Sequence, residues 1–168
     1  MAEEDRTDAD DVDPDLRLAA YARVLADGVK AALPGWVERC VVERIEAWTG
    51  QPPTDEVRDA AERAGDKARD EVGDAVAQTL LLDIDQQRVP PLSLLRSAVR
   101  YPTRVLRAAG VPPVVRDDFA ERNFPEDPYD LTPASFADLS PELHDPGIMW
   151  GAAKAHVHLQ RRRKEGPR

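Results

Sequence analysis

The sequence has few of the residues that stabilise or activate proteins through special chemistry. Among its 168 residues are one cysteine, three tryptophans, three tyrosines and three phenylalanines. One cysteine, Cys40, excludes a disulfide within the chain and is typical of a reducing compartment, so we expect a cytoplasmic protein. Because aromatic residues are scarce, we predict a core of alanine, valine and leucine, which suits close helix packing.

Common catalytic and binding motifs are also missing. There is no paired-cysteine spacing, no HExxH and no glycine-rich phosphate loop, since the nine glycines are scattered singly. His156 and His158 are two residues apart, so a regular helix would point them about 160° away from each other. We therefore predict no metal site and no cofactor. An enzyme with a site near His144, Asp145 and His156 is kept as the second alternative.

No apolar run approaches the roughly 20 residues that a membrane-spanning helix needs, and we predict no membrane partner. What the sequence does contain is charge in blocks, within a net charge of -9. Residues 1–15 carry eight acids and one base, and residues 117–145 carry nine acids and one base. Residues 86–116, in contrast, carry six arginines and no acid. Blocks of this kind pair within the fold or meet a partner.

Four of these arginines, Arg96, Arg100, Arg104 and Arg107, fall within about an 80° arc if the segment is helical. Pro102 opposes a continuous helix, so we expect a kink or two short helices. In one interpretation the arginines pair with the acids of 117–145. In the others they contact a protein partner or, together with the basic C-terminal residues Arg161, Arg162 and Arg163, the phosphates of a nucleic acid. The acidic net charge makes nucleic acid the weaker of these.

Helical periodicity and turn residues predict the elements. A first helix over 15–33 ends at Pro34-Gly35, and a second covers 36–48. A third runs from Thr54 to about residue 85 with an alanine-rich face, and either breaks at Gly73 or projects and pairs with another chain. The run of three leucines over 80–82 is apolar all round and is therefore predicted to be deeply buried.

Three pairs of a capping residue and proline, Thr132-Pro133, Ser140-Pro141 and Asp145-Pro146, predict three successive helix starts. The last of these helices covers 146–163. We predict that its buried stripe consists of Ile148, Ala152, Ala155 and Leu159, with Trp150 and Val157 opposite. Two apolar faces indicate a helix that is sandwiched or that meets a partner.

The sequence therefore predicts an all-α, bundle-like domain of about five longer helices, with short helices in the C-terminal half. Its predicted limits are 15–163, after a disordered acidic tail over 1–14 and before a frayed basic tail over 164–168. The predicted function is that of a non-enzymatic protein acting through protein–protein interaction, with a homodimer possible. The first alternative is a nucleic-acid-associated or ribonucleoprotein-associated factor that uses the arginine stripe and the basic C-terminus.

Overall fold

A computed structural model describes residues 12–166, and it confirms the all-α class. The described residues contain no strand, and helix α1, Pro14–Thr49, is their longest element. The Asp13 side chain accepts a hydrogen bond from the Asp15 amide at 3.0 Å and caps the helix. Gly50 ends it in the left-handed conformation, with a φ of 69°. The predicted tail over 1–14 lies outside the described residues except for its last three positions.

The predicted break at Pro34-Gly35 is wrong, because α1 continues through it. An internal proline costs about 3 kcal/mol. Burial outweighs this cost, since Leu33, Trp36 and Val37 around the proline are all buried. Residues 14–49 therefore form one long helix where two were predicted.

The second run pairs with α1. It comprises α2, Asp55–Ala68, a π-helical turn, Arg69–Gly73, and α3, Asp74–Leu81. Gly73 therefore does not break the helix but completes a π-turn, which adds a residue to the run without stopping it. The predicted alanine-rich face does meet the core through Ala61, Ala68 and Val72.

Glycine lets this run approach α1 closely. A Cβ atom at Gly65 would lie 2.9 Å from both Cα and O of Pro34, so only hydrogen fits there.

Deep burial of 80–82 is confirmed only for Leu80, because the helix ends at Leu81. Leu81 and Leu82 are 55% and 46% exposed.

The arginine segment forms two short helices, as predicted. Helix α4, Pro91–Arg96, is joined by a 3₁₀ turn, Ser97–Val99, to α5, Arg100–Ala108. Pro102 lies in the first turn of α5, where a missing N–H costs least. Gly110 follows in the left-handed conformation, with a φ of 76°.

The segment that follows is mostly irregular, with α6, Asp118–Asn123, and 3₁₀ turns at Phe136–Asp138 and Pro141–Leu143. Only Ser140-Pro141 begins an element as predicted. Pro133 lies in a loop, and Asp145-Pro146 falls inside the first turn of α7, His144–Glu165. Helix α7 therefore extends into the predicted frayed tail by two residues, and 167–168 lie outside the described part.

Helix α1 is the centre of the bundle, because α2, α3, α5 and α7 all contact it. The larger apolar cluster joins α1 to α3, α4 and α7, and a smaller one joins its C-terminal half to α2, α5 and Tyr129. Helix α7 covers one side of α1 near its beginning. This position decides which face of α7 is left open.

Candidate functional site

Helix α7 is oriented opposite to the prediction. Trp150 and Val157 are buried, at 9% and 2% exposure, whereas Ile148 and Leu159 are 62% and 53% exposed. Ala152 and Ala155, between them on the same stripe, are exposed as well. We call Ile148, Ala152, Ala155 and Leu159 the outer face of α7. The predicted buried stripe is thus an exposed apolar surface, of which Ala152 also lines a groove beside the start of α1.

Two contacts hold the helix in this orientation. The Trp150 ring packs edge-to-face on Phe136, with centroids 6.2 Å apart and planes at 86°. Lys154 Nζ lies 5.0 Å from the centroid of the same indole. An aromatic side chain buries more apolar area than an aliphatic one, so the face that carries the tryptophan turns inward.

Arg161 anchors the other end of the inner face. Its guanidinium forms ion pairs with Asp15 at 3.0 Å and Asp83 at 2.9 Å, and also with Asp85. These contacts tie α7 to the start of α1 and to the turn after α3. The guanidinium holds the pKa of Asp83 below its ordinary value, mainly through this hydrogen bond.

The three C-terminal arginines therefore differ in their surroundings. Arg161 is engaged within the fold, whereas Arg162 and Arg163 are exposed and form no ion pair within the part of the chain that is described. Only the latter two point away from the inner face.

The arginines of α4 and α5 also differ among themselves. Arg96 Nε donates to the Pro133 carbonyl at 3.4 Å in a partly buried contact. Arg100 lies over the Tyr101 ring at 5.0 Å and reaches Glu71 at 3.9 Å. Arg104 and Arg107 are exposed.

Glu71 is the acid that this basic group surrounds. The Tyr101 hydroxyl donates to it, which lowers the pKa of Glu71, and Lys67, Arg100 and Arg104 lower it further. Lys67 Nζ lies 3.7 Å from the carboxylate. One acid among three cations leaves a surface with a local positive charge, which we call the Glu71 basic cluster.

The predicted ion pairs between 86–116 and the acids of 117–145 are not formed. Across residues 12–166, no ion pair within 4.0 Å joins the two segments. Several of these acids bind backbone amides instead. Asp117 accepts from Ala120 N at 2.7 Å and Asp138 from Ala134 N at 2.7 Å.

Asp127 is the clearest example of an acid used internally. It is 2% exposed, and its Oδ2 accepts from the Leu131 and Thr132 amides at 2.8 Å each and from the Thr132 hydroxyl at 2.6 Å. A segment with few regular elements must satisfy its amides through side chains, and aspartate does this well. The arginines are thus left without these partners.

The structure does not bring the candidate catalytic histidines together. His144 and His156 are both exposed on α7, about 18 Å apart along its axis. His156 lies beside Gln160 at 3.2 Å and lines a groove of about 650 Å³ between α7 and the start of α1, with Asp13, Tyr21 and Met149. No group of three potential metal ligands occurs among residues 12–166.

Cys40 is largely enclosed in α1. Burial raises the pKa of its thiol to about 12, so the reactive thiolate is scarce at neutral pH. A nucleophilic role has no support at this position. None of the described helices has the length and apolar character that crossing a membrane requires.

Comparisons with protein-family models, curated proteins and solved structures found no match to this chain. The orientation of α7 is the feature of this site that apolar periodicity did not predict. Trp150, Val157 and Arg161 share one side of the helix, and that arrangement is the signal that could have revealed it.

Proposed function

We propose that this is a non-enzymatic protein that acts by docking a helical protein partner on the outer face of α7. The observation that carries the proposal is the exposure of Ile148 and Leu159 on a helix whose opposite face is already buried. One face of α7 is buried against the rest of the protein, and the opposite face is apolar and exposed. An exposed apolar face of this kind is recognised by an apolar face of another helix. The single cysteine supports a reducing, cytoplasmic setting for it.

A photoreactive benzophenone side chain at Ala155 tests this function in cells that produce the protein. We expect a covalent adduct that is heavier than the monomer. This adduct should disappear when the same chain also carries the Leu159→Glu substitution. A benzophenone at Val24, which is 56% exposed on α1, is the matched control and should give no such adduct. No adduct from Ala155 would contradict the proposed function.

A second candidate, binding of nucleic acid, is favoured by the Glu71 basic cluster. Arg107 lies three residues after Arg104 of that cluster, and the guanidinium groups of both suit phosphate oxygens. If this surface binds RNA, the affinity for a single-stranded RNA should fall steeply between 50 and 200 mM salt. The expected loss is roughly tenfold for every two to three phosphates that the protein contacts. Arg104→Gln with Arg107→Gln should reduce the salt dependence. Affinity that is absent or insensitive to salt would reject this candidate.

A further inference from the structure

The outer face of α7 has the same pattern in both directions along the helix. Its large residues, Ile148 and Leu159, lie at the ends, and its small residues, Ala152 and Ala155, lie between them. The spacings of four, three and four residues are symmetric about a point between Ala153 and Lys154. A two-fold interface needs a surface that is complementary to itself, and this one fulfils that condition.

Antiparallel apposition of two such helices brings large residues against each other at both ends. Ile148 then faces Leu159 of the second copy, and Ala152 faces Ala155 of the second copy. Alternating spacings of three and four residues are those of a helix–helix seam. The small residues at the centre let the two backbones approach closely, and no atom lies within 4 Å of a Cβ built at Gly151 beside them.

The charges at the ends of the stripe are complementary in the same orientation. Asp145 lies three residues before Ile148, and Arg162 lies three residues after Leu159. Antiparallel pairing therefore puts Asp145 opposite Arg162 of the second copy, twice per dimer. Both side chains are exposed and neither forms an ion pair within residues 12–166. Parallel pairing would instead place like charges together.

We propose that the outer face of α7 docks a second copy of this chain, so that two antiparallel α7 helices form a homodimer around the point between Ala153 and Lys154. This inference rests on the proposed function and names the partner of that site. A partner of different sequence would not require a stripe and end charges that are symmetric about one point. One helix pair buries less than the roughly 800 Å² per partner of a standard interface, so we expect a micromolar Kd.

Sedimentation velocity of the full chain, from about 1 to 300 µM, tests the proposal. We expect a shift from monomer to dimer across this range. Leu159→Glu places a charge against Ile148 of the second copy and should weaken dimerisation by at least about tenfold. Val24→Glu introduces the same charge at an exposed position outside α7 and should leave dimerisation unchanged. Circular dichroism of both variants checks that the helices are intact, since both sites are exposed.

A charge exchange tests the orientation. Asp145→Arg alone or Arg162→Asp alone should weaken the dimer by roughly threefold to tenfold at low salt, because each creates two repulsive contacts. The double variant, with both substitutions, should restore the wild-type Kd. A double variant that is as weak as either single one contradicts the antiparallel arrangement.

The results separate this inference from the function on which it rests. A wild-type chain that stays monomeric at every concentration, together with an adduct to a different protein from Ala155, overturns the homodimer and leaves the proposed function intact. A monomer without any adduct overturns both. A dimer that Leu159→Glu does not weaken overturns the homodimer interface at α7.

Discussion

The two faces of α7 differ in what they contact, although both are apolar. The inner face packs Trp150 on Phe136 and fixes Arg161 to Asp15 and Asp83. The outer face, from Ile148 to Leu159, is exposed. Apolar periodicity cannot tell which of two such faces is buried, because each is a continuous apolar stripe. A large aromatic and a multiply paired arginine decide which face is buried, and the aliphatic stripe is then left exposed.

The largest effect should come from emptying the inner face. Trp150→Ala removes the indole that packs on Phe136, and we expect the free energy of unfolding to fall by about 3–5 kcal/mol. Urea denaturation followed by circular dichroism, at low protein concentration, measures it. A loss below about 1 kcal/mol would mean that this face does not hold the helix.

A smaller effect should follow from adding a methyl group where helices touch. Gly65→Ala puts a Cβ atom 2.9 Å from the Pro34 backbone, and overpacking of this kind costs about 1–3 kcal/mol. Gly151→Ala is the matched control, because its Cβ meets nothing and alanine favours the helix by up to about 1 kcal/mol. Thermal unfolding of the two variants should therefore shift in opposite directions. Equal shifts would contradict the close contact between α1 and α2.

Removing the anchor of the inner face should cost less. Arg161→Gln breaks exposed or half-exposed ion pairs, which solvent screens, so we expect a loss of about 1 kcal/mol at neutral pH. The folded-state pKa of Asp83 is lowered from 3.8, so its contribution to stability is present above that pH. It is lost as the pH falls through the lowered pKa.

The difference in unfolding free energy between wild type and Arg161→Gln should therefore shrink between about pH 5 and pH 2. Denaturant titrations at several pH values measure it, and Arg163→Gln, on an exposed side chain, is the control. A difference that does not change with pH would show that Asp83 is not the partner that matters.

The smallest effect should come from the outer face itself. Leu159→Ala truncates a side chain that is 53% exposed, so the monomer should lose no more than about 0.5 kcal/mol. Denaturation at concentrations below the dimer Kd measures this. A loss comparable to that of Trp150→Ala would remove the distinction between the two faces.

The sequence predicted the helical class, the alanine-rich face of α2 and the interruption between α4 and α5. It did not predict continuity at Pro34, because burial of Leu33, Trp36 and Val37 outweighs the local cost of proline. Nor did it reveal the π-turn before Asp74, where a Cβ atom at Gly73 would lie 3.2 Å from Cγ of Lys30.

The charge pattern was the most misleading signal. Matching blocks over 86–116 and 117–145 indicated ion pairs, yet Asp117, Asp127 and Asp138 bind amides near them in sequence. Net charge counts every carboxylate alike and cannot tell a cap from a free group. Because these acids bind amides, Arg104 and Arg107 are left exposed. Their contact with a partner stays a prediction.

Disulfide formation between two single-cysteine-substituted chains tests the pairing of outer faces most directly. An equal mixture of Ile148→Cys and Leu159→Cys chains should give a covalent dimer of the two, resolved by mass spectrometry, because these positions face each other in the antiparallel pair. Ile148→Cys alone should give almost none, since its two copies are about 16 Å apart along the axis. The enclosed Cys40 contributes little background. A cross-link between two Ile148→Cys chains, or none in the mixture, would contradict the account.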